Sequence, residues 1–121
     1  MAKKIINSKY RNLGTVISST SIANDALATS NIIYNTQGFT KAVFHCKATQ
    51  AWELWCYKYN EDGTVDWGNT IQAGLSATSG VYSGLTIDAT STICGYGIKF
   101  GMKNKSGGAA ADFELKVQLI E

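Results

Sequence analysis

The residues Asp112–Ile120 alternate without a break: Phe113, Leu115, Val117 and Leu119 are apolar, while Asp112, Glu114, Lys116 and Gln118 are polar. A period of two sends these sets to opposite faces of a strand. The same period runs through Phe39–Ala48, where Ala42, Phe44, Cys46 and Ala48 share a face against Lys41, Val43, His45 and Lys47. It returns in Ser91–Lys103, aligning Cys94, Tyr96, Ile98, Phe100 and Met102 against Gly95, Gly97, Lys99 and Gly101. Glycine at three of those opposing positions leaves room for another backbone or a large ring to come close. No long stretch shows helical apolar spacing. Roughly eight strand-like runs with turn residues about every ten positions predict an all-β chain, an antiparallel β-sandwich of jelly-roll-like or Ig-like form.

The remaining segments fill in around these runs. Leu13–Thr20 and Asn31–Asn35 read as strands, and Ser21–Ser30 as a loop with room for one helical turn capped by Asn24 or Asp25. Trp52–Tyr59 is a strand. Asp62-Gly63 is a hairpin signal of type I′, which needs positive φ at both central residues, and Thr64–Gly68 is the returning strand. Gly74–Gly80 reads as a loop, Val81–Asp88 as a strand and the NKSGGAA stretch as a loop. A chain of 121 residues is the size of one domain. Residues 1–12 form a polar N-terminal arm or edge segment, and residues 13–121 the single β-sandwich domain.

Charge and cysteine content narrow the function. Charged residues are 17% of the chain, below the usual value of about 25%, so little repulsion keeps copies apart. A net charge of +2 with no basic stripe argues against nucleic-acid binding. No run of about 18 apolar residues is present, so no membrane span is expected. The MAKKIINSKYRN start lacks the apolar core of a secretory signal, which predicts a protein kept in the cytosol. Cys46, Cys56 and Cys94 are odd in number and lack close spacing, the pattern of buried free thiols rather than a zinc site or disulfide framework. The chain contains no proline, one of the residues that guard exposed strand edges, so edges covered by neighbouring subunits are expected.

The residues for catalysis are sparse. The one histidine, His45, shares a face with Lys41 and Lys47, and its neighbour Cys46 points the other way. Glu53 has no second carboxylate at a readable spacing, so glycosidase chemistry lacks its pair. Asn60, Asp62 and Asp66 offer oxygen ligands to calcium, but without the spacing of an EF-hand loop, and the hairpin accounts for Asp62-Gly63. GYGIKFG is a strand, not a phosphate loop. No enzyme activity, cofactor or metal is expected.

The aromatic residues are plentiful instead. Trp52, Leu54 and Cys56 make one row of their strand; Trp55, Tyr57 and Tyr59 make the other, with Trp67 placed to extend it. One row belongs to the core. The other has three uses: packing within the chain, a partner interface, or stacking on sugar rings.

The opening "TVISST…ANDALATSNIIYNTQGFTKAVFHCKAT", the hairpin "YKYNEDGTVDWG" and the closing "GIKFGMKNKSGGAAADFELKVQLIE" resemble small all-β virion proteins of tailed bacteriophages, the head-decoration, head-fibre and tail accessory proteins. The resemblance covers most of the chain from about Thr15 and rests on pattern rather than a diagnostic motif. It implies a non-enzymatic structural protein of the virion, assembled in the host cytoplasm. The implied partners are its own subunits, most often as a trimer, and a major capsid or tail protein. The alternative is a carbohydrate-binding module using Trp55, Tyr57, Tyr59 and Trp67.

Overall fold

A computed structural model describes residues 10–36, 38–86 and 96–121. The expected arm over Met1–Lys9, and Cys94 and Gly95 of the glycine-rich run, lie outside the described residues. Nine strands are described, in the order β1 (Tyr10–Ile22), β2 (Leu27–Thr29), β3 (Ile33–Tyr34), β4 (Lys41–Ala48), β5 (Trp52–Tyr59), β6 (Val65–Leu75), β7 (Thr78–Thr86), β8 (Gly97–Asn104) and β9 (Ala111–Ile120). They form two antiparallel sheets, one in the order β1-β9-β4-β7 and the other β2-β8-β5-β6, with β3 also on β8.

The pairing is nested. β1 pairs with β9, β2 and β3 with β8, β4 with β7, and β5 with β6. One long hairpin rolled into two layers has this connectivity, which is the jelly-roll form of the sandwich. The Ig-like form is excluded, because there the first strand pairs with the second.

The alternating rows become the core. Ala42, Phe44, Cys46 and Ala48 of β4 are buried, as are Phe113, Leu115, Val117 and Leu119 of β9. From the other sheet come Trp52, Leu54 and Cys56 of β5 with Ile98, Phe100 and Met102 of β8. Rings bridge the layers: Phe44 meets Phe100 edge-on at 5.5 Å, and Trp52 lies 6.5 Å from Phe113. Cys46 and Cys56 are buried free thiols, and burial pushes the Cys56 thiol up, so it stays protonated.

Of the expected arm or edge segment, Tyr10–Asn12 are described, and they pair with Gln118–Ile120 at the sheet edge. Three local expectations are corrected. Ser21–Ser30 contains β2, which forms because Leu27, Ala28 and Thr29 find Lys103, Met102 and Gly101 on β8. β6 and β7 extend into Gly74–Gly80, leaving a tight connection between Leu75 and Thr78. The Asp62-Gly63 hairpin is not type I′: among its residues only Gly63 has positive φ, at 86°. The Gly63 amide donates to Asn60 O at 3.0 Å, so Glu61 and Asp62 are the central residues of a turn followed by a left-handed glycine, the three-residue hairpin loop.

Asp62 contributes its side chain to that loop, accepting from the Thr64 hydroxyl at 2.6 Å and the Thr64 amide at 2.9 Å. These bonds favour the carboxylate and hold the Asp62 pKa below its ordinary value. Its contribution is therefore present above the ordinary carboxylate range and lost as pH falls through the lowered folded value. The protection of the Thr64 amide against exchange, taken relative to its intrinsic rate at each pH, is expected to fall selectively in acid, and Asp62→Ala is expected to abolish that change. An unchanged profile in the variant rules this account out.

The edges are guarded without proline. The central pairs β4–β9 and β5–β8 keep continuous register, whereas the pairs made by the edge strands β1, β6 and β7 all carry register shifts. Bulges twist an edge away from a would-be partner, and the fourth edge consists of the short strands β2 and β3.

Candidate functional site

The face of β5 turned away from the core carries Glu53, Trp55, Tyr57 and Tyr59. In register, Trp55 stands between Thr70 of β6 and Gly101 of β8, and Tyr57 between Gly68 and Lys99. Trp55 and Tyr57 are half-buried and stack, with ring centres 6.2 Å apart and planes 25° from parallel. Gly68 makes this arrangement possible: a Cβ there would lie 2.5 Å from Tyr57 Cδ1, closer than real atoms approach. The Tyr57 ring thus lies against the β6 backbone.

Polar groups hold the rings. The Trp55 indole Nε1 donates to Glu53 Oε1 at 3.1 Å, which fixes the ring orientation. The Lys103 ammonium lies 5.5 Å from the centre of the Trp55 ring. Lys99 sits between two rings, 5.3 Å from the centre of Tyr57 and 5.7 Å from that of Tyr59. Contacts of this length are worth about 0.5–1 kcal/mol where water reaches them. Both lysines are half-buried beside their rings.

The row is not uniform along its length. Tyr59 is only 7% exposed, whereas Trp55 and Tyr57 keep partial access. In backbone register Trp67 pairs with Lys58, and the row residues Tyr57 and Trp55 pair with Gly68 and Thr70. The glycine positions of β8 are approached as expected, though by short aliphatic and tyrosyl side chains. A Cβ on Gly101 would meet Leu27 Cδ1 at 3.0 Å, and one on Gly97 would meet Ile32 Cγ2 at 3.0 Å and Tyr34 Cδ1 at 3.2 Å.

Two features escaped the sequence reading. Tyr34 and Tyr96, both exposed, pack edge-on at 5.6 Å, brought together because the chain reaches β3 and enters β8 side by side. Arg11 reaches from β1 to the Tyr34 carbonyl at 2.6 Å, tying the two sheets together at that end.

The oxygen ligands singled out for calcium have other engagements. Asp66 pairs with Lys58 at 3.0 Å, Asp62 accepts from Thr64, and Asn60 Nδ2 donates to the Thr64 hydroxyl at 3.2 Å. Among the described residues no three of His, Cys, Asp and Glu gather to hold a metal ion. His45 is exposed on the other sheet, beside a shallow hollow shared with Asn12, Thr15, Lys116 and Gln118.

Gly68→Ala tests the ring arrangement. The added methyl is expected to push the Tyr57 ring off β6 and break its stack on Trp55, changing the indole fluorescence with little change in the unfolding midpoint. An unaltered spectrum contradicts the geometry.

No protein-family model matches this sequence, and no curated protein matches it. The fold is similar to that of the VP2 subviral particle of infectious bursal disease virus, with TM-score 0.60 and 13% identity over 94% of this chain and 32% of the viral one. A structure of the Gx strain of that virus gives TM-score 0.54 and 17% identity over 95% of this chain and 32% of the other. A family 29 carbohydrate-binding module gives TM-score 0.59 and 10% identity, over 95% of this chain and 90% of the module. This chain thus spans about a third of the viral chains and nearly all of the module. At these identities the likeness shows the fold alone, an architecture common to viral capsid proteins and carbohydrate-binding modules.

Proposed function

We propose that this protein is a non-enzymatic structural component of a virus particle, a capsid-decorating or tail accessory domain that works by non-covalent contact. The observation that carries this reading is the half-buried Trp55–Tyr57 stack on the outer face of β5. Trp and Tyr in such positions combine apolar area with a polar tip and are enriched at subunit contacts. Bulged and shortened edges disfavour strand-to-strand joining, which leaves the sheet face as the contact surface. Low charge and the bacteriophage resemblance point the same way. The partners proposed are copies of itself, as a trimer, and a major capsid or tail protein, with the virion as the location.

Mass photometry of the purified protein across a concentration series tests this reading. Discrete oligomers are expected, and Trp55→Ala is expected to shift them towards monomer. A monomer at every concentration, indifferent to Trp55→Ala, overturns it.

A second reading is a carbohydrate-binding module. It is favoured by Gly68, which lets the Tyr57 ring lie against the sheet beside Trp55, so that both present partly open surfaces to a sugar. Binding on a glycan array that disappears with Trp55→Ala supports it, and silence across the array retires it.

A further inference from the structure

The Trp55 face carries a charge pattern that the stacking rings alone do not require. Lys103 lies over Trp55, and Lys99 over Tyr57 and Tyr59. The ion pairs of the described residues use other lysines, Lys58 with Asp66 and Lys105 with Asp25. The carboxylate nearest in register to Lys103 is Glu53, and Glu53 accepts instead from the Trp55 indole. Two ammonium groups are therefore held on the aromatic surface by ring faces rather than by acids. A ring face gives an ammonium no acceptor oxygen, whereas a carboxylate accepts a charge-assisted hydrogen bond from it.

We propose that this face takes an acidic oligosaccharide, its sugar rings on Trp55 and Tyr57 and its carboxylates paired with Lys99 and Lys103. The inference rests on the carbohydrate reading of the same surface. Lys99 and Lys103 stand four residues apart on β8, and side chains at every second residue of a strand share a face, so both ammoniums lie along one side of the ring row. A polymer with a carboxylate on each unit would meet them in succession. On binding, each ammonium exchanges a ring face for a carboxylate, and the ring face it leaves becomes available to the sugar. A neutral sugar displaces the lysines with no such return.

Isothermal titration with matched probes tests the inference. Oligogalacturonate, a hyaluronan oligosaccharide and sialyllactose are each compared with a neutral counterpart: carboxyl-reduced oligogalacturonate, a chito-oligosaccharide and lactose. At least one acidic probe is expected to bind about tenfold more tightly than its neutral partner, with a gap that narrows as salt rises. The Lys99→Gln/Lys103→Gln double variant, which removes both charges and keeps polar side chains, is expected to close the gap, because acidic probes lose their ion pairs and neutral sugars no longer displace an ammonium from a ring. Trp55→Ala is expected to weaken both.

Neutral sugars bound as well as or better than their acidic partners overturn the inference and leave the carbohydrate reading standing. Tighter binding of a single-stranded oligothymidylate than of any acidic sugar also overturns it, because the face then selects a phosphate chain. No binding by any sugar overturns both.

Discussion

Phe100→Ala is expected to lower the free energy of unfolding by about 4 kcal/mol, the range for removing a fully buried ring. Phe100 has no exposed surface, and its ring meets Phe44 edge-on across the two sheets. Truncation removes apolar burial, that ring contact and the packing of the gap left behind. A domain of this size is stable by about 5–15 kcal/mol, so the loss moves the urea midpoint far down. Phe100→Leu keeps most of the volume and is expected to lose much less, which keeps the comparison readable if the alanine variant does not fold. Paired with Phe44→Leu, it is expected to show a coupling of about 0.5–1.5 kcal/mol. Additive losses contradict a direct contact between the rings.

Asn104→Leu is expected to cost about 3 kcal/mol although it adds apolar volume. Asn104 ends β8 with no exposed surface, and its side chain is fully engaged. Nδ2 donates to the carbonyls of Ile22 at 2.8 Å and Ala109 at 2.7 Å, while Oδ1 accepts from the Ser106 amide at 2.8 Å. Its backbone meets the turn after β1, accepting from Asp25 N and donating to Ala26 O. Leucine would leave two carbonyls and an amide short of partners beside the core, each carrying its own desolvation cost. Asn104→Asp retains the acceptor but turns an oxygen toward the two carbonyls. It is expected to be unstable near neutral pH and to recover part of the loss in acid, where the protonated carboxyl can donate again. Equal losses at both pH values show that Nδ2 is not the important group.

The sequence made the layers legible and left the connections hidden. Rows such as Phe113, Leu115, Val117 and Leu119 announce a strand with one buried face, because side-chain alternation is a local property. Nothing local says that Tyr10 will meet Ile120, and so the choice between jelly roll and Ig-like sandwich stayed open until the pairing was seen. β2 escaped notice for the same reason: three residues become a strand only because Lys103–Gly101 stand beside them. At the hairpin, Asp62-Gly63 marked a turn correctly, but the hydrogen bonds from Thr64 to the Asp62 carboxylate favour the longer loop over type I′. Within the candidate site, alternation separated Trp55 and Tyr57 from the core row of Trp52, Leu54 and Cys56. It could not show that Tyr59 is shielded, that Gly68 makes room for Tyr57, or that Lys99 and Lys103 rest on rings, since each depends on a neighbouring strand. Asn104 looked like the first residue of a polar loop, and its several partners are scattered through the chain.

Nested pairing also dictates an order of events as the polypeptide leaves the ribosome. The innermost hairpin, β5 with β6, has both its strands early, and β7 can then join β4. β1 has no strand to bond until β9 has been made, so Ile17 and its neighbours wait in water through the rest of synthesis. Loop closure over such a separation is slow compared with local turns. The polar, weakly hydrophobic character of β1 suits that wait, because an oily strand left alone for so long would find the wrong partner first.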